Sequence, residues 1–252
     1  MKALNLIVHA VMVLFLTIIS QLGGIAWLAA RFLPKHRFSG FLAFYVVLSA
    51  GAVFIAPMTG RVPLACIASE SDAATSPFFC ALNRQYVTPD LKAVLTDLSK
   101  DMQTAHPDTQ IRVLDAGFPF LSGFPLLPHL SHDDGKKADI ALFYRNARGA
   151  YLPGRTRSPI GYFAFEQGPT ECESRPMSLR WDLDALQPIW ADWTLDESRT
   201  RHALELLSSD PRIDRLFLEP HLKDRMDITS SKVRFQGCRA ARHDDHIHIQ
   251  VR

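Results

Sequence analysis

Hydrophobic positions follow two different patterns along this chain of 252 residues. Residues 4–30 and 38–57 form two long uncharged apolar runs, each long enough to cross the hydrocarbon core of a membrane. The remainder alternates short apolar and polar segments, as folded domains do. The pattern predicts a two-helix transmembrane hairpin at 1–58, a linker at 59–77 and an extracytoplasmic domain at 78–252. A cleavable signal peptide is the alternative for the first run, but its length and the second run directly after it favour a membrane span.

Apolar periodicity within the domain predicts alternating helices and strands. Thr88 can cap a helix that begins at Pro89, and apolar residues then recur at helical spacing as far as Met102. A second amphipathic helix is expected at 196–209, and residues 146–176 are typical of a long irregular segment. Further elements are expected as strands at 111–115, 140–144, 213–218 and 247–251 and as a short helix at 219–226. Together they predict an α+β fold, with a small antiparallel sheet flanked by helices.

The charge distribution bears on partners and location. The chain has 28 basic and 26 acidic residues, a balance that gives no electrostatic reason to expect nucleic-acid binding. Between the apolar runs, residues 31–37 carry three fixed positive charges. The positive-inside rule places this loop in the cytoplasm, so both the N-terminus and the chain after Met58 are expected outside. In a bacterium with two membranes, the domain would then lie in the periplasm, anchored to the inner membrane.

The four cysteines all follow the apolar runs, and an even number outside the membrane is typical of a disulfide framework. Three pairings are open. Cys66 with Cys80 is the local choice, which leaves Cys172 to join a long loop to Cys238. Buried free thiols in a reducing compartment are the alternative.

Histidines cluster near the end of the chain. His246 and His248 are two residues apart in a segment that alternates with apolar residues, which predicts a strand with both imidazoles on one face. Upstream, His132 and Asp139 flank a glycine-containing turn. Imidazole nitrogens and a carboxylate oxygen suit zinc, and three protein ligands leave a fourth position for water. The sequence therefore predicts a zinc hydrolase, with solvated surface histidines as the alternative.

Two motifs carry a family resemblance. The order Ser131-His132-x-x-Gly135-x-x-x-Asp139-Ile140, followed by His246-x-His248, resembles the LAS group of zinc peptidases, which includes D-Ala-D-Ala peptidases, lysostaphin-type endopeptidases and the metal-site domain of hedgehog proteins. Within the group it is most similar to the penicillin-insensitive murein endopeptidase family, because His243 stands where the dipeptidase branch has a glutamate. The resemblance starts at about residue 90 and implies the hedgehog/D-Ala-D-Ala peptidase type of α+β fold. The apolar runs and residues 61–77 have no counterpart in that soluble periplasmic family.

The resemblance also implies roles for individual residues. It makes His132, Asp139 and His248 the ligands of Zn²⁺, with His246 as catalytic base and His243 as a second active-site histidine. His129 matches a position that contributes to a second metal site in the murein endopeptidase family. The other ligands of that second site have no match here, so a structural loop histidine is the favoured interpretation of His129.

The implied activity is hydrolysis of peptide bonds in peptidoglycan stem peptides or cross-links, by a D,D-endopeptidase or D,D-carboxypeptidase that uses water activated by zinc. The expected partners are the peptidoglycan peptides and the cytoplasmic membrane. Four arginines of the irregular segment could bind stem-peptide carboxylates or form a solvated face: Arg145, Arg148, Arg155 and Arg157. Two alternatives stay open, a non-catalytic, metal-stabilised module on a membrane anchor that binds cell wall or a protein, and a hydrolase of free peptides.

Overall fold

The structure is a computed structural model that describes residues 2–67, 72–127, 129–173, 180 and 183–252. The helices are α1 (Lys2–Ser20), α2 (Gly23–Ala30), α3 (Arg37–Ile55), α4 (Pro77–Ala81), α5 (Pro89–Ala105), α6 (Glu197–Ser209) and α7 (Pro220–Arg225). The strands are β1 (Val62–Pro63), β2 (Ala74–Thr75), β3 (Tyr86–Val87), β4 (Arg112–Val113), β5 (Lys137–Ala141), β6 (Tyr144–Arg145), β7 (Thr194–Leu195), β8 (Ile213–Phe217), β9 (Val233–Arg234) and β10 (His246–Val251). Short 3₁₀ segments cover Pro34–His36, Ala56–Thr59, Leu130–Asp134 and Asp184–Ile189.

A six-stranded sheet organises the domain, in the order β2-β4-β5-β10-β8-β9. The three pairings at its centre are antiparallel, whereas β2 with β4 and β8 with β9 pair in parallel. The mixed α+β class is thus confirmed, and the predicted antiparallel pairing is present at the centre of the sheet, whereas the two edge pairings are parallel. β2 and β9 were not predicted, because each is two residues long and lies in a segment without a recognisable strand pattern in the sequence.

The core of the domain lies on one face of the sheet. Ile247, Ile249 and Val251 of β10 point into it, and the apolar stripes of α5 and α6 cover them. The helix expected at 89–105 begins as predicted, with the Thr88 hydroxyl accepting a hydrogen bond from the backbone N–H of Leu91. The strand expected at 140–144 is shifted. β5 ends at Ala141, and Tyr144 starts the separate strand β6, which pairs with β7.

The first apolar run is two helices instead of one span over 4–30. The chain turns after Ser20, and α2 runs back along α1, where the Trp27 indole N–H donates to His9 Nδ1 at 3.2 Å. α3 then runs antiparallel to α2, with the Trp27 and Phe41 rings 5.7 Å apart. The expected two-helix hairpin is therefore a three-helix bundle in which α2 lies between α1 and α3, and α1 and α3 point in the same direction.

Local chemistry explains the turn between α1 and α2. Gln21 adopts a left-handed backbone conformation with φ of 59°, and the Ser20 hydroxyl accepts a hydrogen bond from the backbone N–H of Gly23. A Cβ atom on Gly24 would lie 1.9 Å from the Thr17 hydroxyl oxygen. Only glycine allows α2 to approach α1 this closely.

Two helices are long and apolar enough to cross a membrane, at Ala3–Ser20 and Pro34–Thr59. Their large apolar side chains are mostly exposed, as for Leu6 at 63% and Phe54 at 79%. A core helix of a soluble domain buries such residues, so this exposure favours a membrane or another apolar environment around the bundle.

The bundle packs directly against the domain. The Tyr45 hydroxyl in α3 donates to the carbonyl of Ala81, and the Asn83 side-chain amide donates to Tyr45 and to the Ser49 hydroxyl. At the turn after α1, the Gln21 side-chain oxygen accepts a hydrogen bond from the backbone N–H of Phe120. These contacts hold the domain on the bundle at several points.

The described parts of the segment expected as a linker, residues 59–67 and 72–77, pack with the domain. It contributes β1 and β2 to sheets, and the buried Arg61 guanidinium donates to the Ser122 hydroxyl and the Asp133 carbonyl. Pro77 already begins α4. The sequence signal for these elements was weak because the strands are two residues long.

Two disulfides are present, Cys66–Cys80 and Cys172–Cys238, the pairing favoured by spacing. The described cysteines include no free thiol. Both bonds indicate an oxidising compartment.

We expect loss of the Cys172–Cys238 bond to destabilise the domain more than loss of Cys66–Cys80. The sequence separations are 66 and 14 residues, and the chain-entropy relation gives about 4 and about 3 kcal/mol respectively. Thermal unfolding of the two double serine variants, each as the full chain in detergent, measures the difference. Equal or inverted losses would contradict the expectation.

Candidate metal centre

The first predicted ligand, His132, is fully buried in the 3₁₀ segment Leu130–Asp134. Its Nδ1 lies 3.1 Å from the carbonyl oxygen of Ala116, to which it donates a hydrogen bond. This contact leaves the lone pair on Nε2, the arrangement typical of metal-ligating histidines. Gly135 ends the segment in a left-handed conformation with φ of 71°, directly against the Arg61 guanidinium.

Strand pairing brings the other two predicted ligands together. β10 lies between β5 and β8, and its register sets His248 opposite Asp139. His248 Nδ1 is 2.9 Å from Asp139 Oδ1 and 3.1 Å from His132 Nε2. His132 Nε2 is 3.2 Å from the same Asp139 oxygen. The three candidate ligand atoms come from distant parts of the chain and form a nearly equilateral triangle.

The chemistry of this triangle suits a cation. Zinc bonds of 2.0–2.1 Å in a tetrahedral site place neighbouring ligand atoms about 3.3 Å apart, close to the distances observed. One carboxylate and two imidazoles, all buried, also converge on one point, where a bound cation would offset the buried negative charge of Asp139. Burial lowers the pKa of His248 to about 4, so this ring is neutral, as a ligand must be.

A second, overlapping set of side chains also lies close enough to hold a metal ion. Asp115, His129, His132 and Asp139 offer ligand atoms within 4.8 Å of one another. Both Asp115 oxygens, however, already accept hydrogen bonds from the Arg84 guanidinium, and His129 Nδ1 lies 3.0 Å from Asp115 Oδ2. His129 also lies 3.1 Å from Asp139 Oδ2. Arg84, Asp115 and His129 therefore form a hydrogen-bonded support beneath Asp139.

His246, the predicted base, lies beside the triangle and outside it. Its Nε2 is 3.7 Å from Asp139 Oδ1, and its Nδ1 is 2.5 Å from Asp245 Oδ1. Asp245 is itself held by the backbone N–H groups of Phe163 and Ala164. Burial opposes protonation of His246, but the charge of Asp139 and the contact with Asp245 outweigh it and raise its pKa to about 9.

His243 is buried on the same side of the cluster. Its ring centre is 4.8 Å from that of His246 and 5.8 Å from that of Phe217. Burial and the neighbouring His246 and His248 hold the pKa of His243 well below its usual range. Its backbone N–H donates to the Glu219 carboxylate, which Arg180 binds through two nitrogens. His243 is therefore fixed in position as a neutral ring.

Sequence reasoning missed several residues of the site. Tyr162 comes from the irregular segment, and its hydroxyl donates to Asp139 Oδ2 at 2.7 Å. Asp115 follows β4, and Arg84 precedes β3. None of the three stands in a periodic or spaced motif. Asp245 could have been found, because an acidic residue adjacent to a candidate base in sequence is a common orienting partner.

The arginines proposed to bind stem-peptide carboxylates are partly engaged within the chain. Arg145 pairs with Asp196 at 2.9 Å, and Arg157 donates to the carbonyl of Ala191 and contacts Asp192. Arg157 also stacks on the Phe165 ring, 4.5 Å from its centre. These contacts favour the solvated-face interpretation for Arg145, whose side chain is 41% exposed, whereas the Arg157 side chain is 12% exposed and is packed within the chain.

Glu166, close behind the site, provides a pH-dependent prediction. Burial raises its pKa from 4.5 to about 7, against the attraction of Arg225. A carboxyl group with a raised folded-state pKa stabilises the protein when protonated, and this contribution is lost as the pH rises through about 7. We therefore expect the wild type to lose roughly 2–3 kcal/mol relative to Glu166→Gln between pH 4.5 and pH 8. Unfolding midpoints of both proteins across that range test this, and parallel curves would contradict it.

The fold and the site together define a mixed α+β protein with two candidate membrane helices, two disulfides and a buried histidine and aspartate cluster that could hold a metal ion. The sequence matches no protein-family model. It also matches no curated protein at a significant level.

Proposed function

We propose that this protein is a membrane-anchored zinc metallopeptidase that hydrolyses peptide bonds of peptidoglycan, as a D,D-endopeptidase on cross-links or a D,D-carboxypeptidase. The observation that carries the proposal is the triangle of His132 Nε2, Asp139 Oδ1 and His248 Nδ1, with edges of 2.9–3.2 Å. A buried base at its side completes the set of groups that metal-assisted hydrolysis needs. The motif resemblance to murein endopeptidases supplies the substrate class.

A zinc ion held by these three residues would lower the pKa of a water molecule and polarise a carbonyl oxygen. Side chains of the protein supply proton transfer and hold the ligands in position. Asp245 fixes His246 through Nδ1, so Nε2 points toward the triangle. Because the charge of Asp139 is the main cause that raises the pKa of His246 to about 9, a cation bound to Asp139 would lower that pKa and leave Nε2 free to take a proton from water and return it to the leaving amine. Tyr162 and His129 hold the second oxygen of Asp139 and keep the first oriented inward.

The bundle supports the proposed membrane attachment and its direction. Arg37 lies 3.3 Å from His9, so the cationic loop at 31–37 and the N-terminal half of α1 lie at the same end of the bundle. The positive-inside rule assigns this end to the cytoplasm. The domain then lies outside, where its disulfides can form. On this proposal the N-terminus, expected outside from the sequence, lies on the cytoplasmic side, because α2 doubles back along α1.

The test is digestion of purified cross-linked muropeptides by the full chain in detergent. Mass analysis should show cleaved peptides with zinc-loaded protein, loss of cleavage after chelation, and recovery when zinc is returned. Intact muropeptides after long incubation with zinc-loaded protein would overturn the proposal. Tight binding without turnover would support the non-catalytic module instead.

A further inference from the structure

Two cavities meet at the candidate metal centre. The smaller, of about 210 Å³, holds the three predicted ligands. The larger, of about 320 Å³, is called the apolar pocket here; it is lined mainly by apolar residues, among them Ile19, Phe79, Leu82, Ile160 and Phe163. The two share His129, Ala241 and His246 as common wall. A molecule in the apolar pocket would therefore lie directly against the proposed base.

Part of the wall of the apolar pocket belongs to a candidate membrane helix. Ile19 lies in the last turn of α1. In the row that continues from it at spacings of four residues come Phe15, Val11 and Ile7, which are 55%, 60% and 58% exposed; this row turns gradually around the helix, by about 40° a step. An exposed apolar ridge thus runs the length of α1 and ends at the pocket.

The position of the pocket is fixed relative to the bundle. The contacts of Tyr45 with Ala81 and of Asn83 with Ser49 lie at α4 and just after it, beside the pocket residues Phe79 and Leu82. These hydrogen bonds join the segment that lines the apolar pocket to the bundle, beside the end of α1.

Building on the proposed function, we propose that the apolar pocket binds the hydrocarbon chain of a lipid-linked peptide, so that the substrate is a peptide carried on a membrane lipid. A chain emerging from the bilayer along the ridge of α1 can enter the pocket without crossing water. Its polar, peptide-bearing end would then face His246 and the metal centre. Binding of a detached, water-soluble peptide would not require a pocket wall formed by a membrane helix.

The test uses the full chain in phosphatidylcholine nanodiscs, with one D-alanyl-D-alanine-terminated pentapeptide bearing an N-acetyl, N-hexanoyl or N-dodecanoyl group. Each buried methylene is worth about fourfold in binding, so the ratio of kcat/KM for dodecanoyl over acetyl peptide should exceed about tenfold. Ile160→Trp, which fills the pocket, should reduce this ratio toward the value set by membrane partitioning alone. Ile25→Trp, on an exposed position of α2 outside the pocket lining, should leave the ratio unchanged. A ratio that is equal in the wild type and Ile160→Trp would overturn the proposal.

A second measurement does not depend on turnover or on the folding of a variant. A dodecanoyl pentapeptide with a diazirine near the chain end should cross-link to Leu82, Ile160 or Phe163 in the wild type, as read by peptide mass analysis. Cross-links confined to the bundle surface would overturn the inference. Cleavage of all three peptides at one rate would also overturn the inference, but it would leave the proposed function intact. Cross-links in the pocket without cleavage of any peptide would support the chain-binding site and count against the peptidase.

Discussion

Asp139→Asn should abolish metal binding and reduce peptide hydrolysis to background. Asp139 Oδ1 is the corner shared by His132 and His248, and it supplies the only negative charge in that triangle. Loss of an outer-shell partner typically costs about 10–100-fold in metal affinity, and loss of a charged ligand should cost more. Zinc content after dialysis and turnover of a cleavable peptide measure both effects on the same preparation. Retention of zinc at wild-type affinity would contradict the ligand assignment.

Two further substitutions separate the overlapping ligand sets. His248→Ala should weaken zinc binding as severely as Asp139→Asn, because His248 Nδ1 completes the triangle. His129→Ala should retain most of the zinc, because His129 contacts the outer oxygen of Asp139 and the already occupied Asp115. The reverse result would assign the metal to the set of Asp115, His129, His132 and Asp139. Thermal unfolding of each variant shows whether the fold persists.

His246→Ala should keep zinc but lose about 10²–10⁴-fold in kcat, the usual contribution of a positioned acid or base. Its Nε2 lies outside the triangle, 3.7 Å from the nearest ligand oxygen, so metal occupancy does not depend on it. In His246→Ala, turnover should therefore fall while zinc content stays at the wild-type level. In Asp139→Asn, turnover and zinc content should fall together.

His202→Ala is the matched control for His246→Ala. His202 lies on α6, where its ring contacts His106, and it is remote from the metal centre. This variant should leave zinc content and kcat unchanged.

Asp245→Asn should lower kcat without loss of zinc, because the backbone contacts of Phe163 and Ala164 remain while the negative charge that orients His246 is removed. Zinc loss in His246→Ala would show that the residue acts as a ligand instead of a base.

Elements with strong periodicity could be predicted from the sequence. The stripe from Leu91 to Met102 and the alternation in β10 each fix which face is apolar, and α5 and β10 appear within a residue or two of expectation. The alternation also gave the side of the sheet on which His246 and His248 lie. The facing position of Asp139 depends on the β5–β10 register, which no local pattern specifies.

Other features depend on tertiary contacts and left no signal in the sequence. The turn at Gln21 lies within an unbroken apolar run, and hydropathy alone cannot distinguish one long helix from two short ones. Strands of two residues, such as β1 and β2, are held by their neighbours and have no periodicity to detect. Tyr162 reaches Asp139 from an irregular segment whose path is set by the Asp245 contacts to Phe163 and Ala164.

The direct packing of the domain on α3 has a geometric consequence. Tyr45 contacts Asn83, and Arg61 reaches from the end of the bundle to the loop of His132, so the described residues join the domain directly to the bundle. On the proposed membrane topology, the catalytic groups are therefore held at one height above the bilayer. As the protein diffuses laterally, it would cleave bonds only within a thin layer parallel to the membrane. It would not reach bonds deeper in the wall.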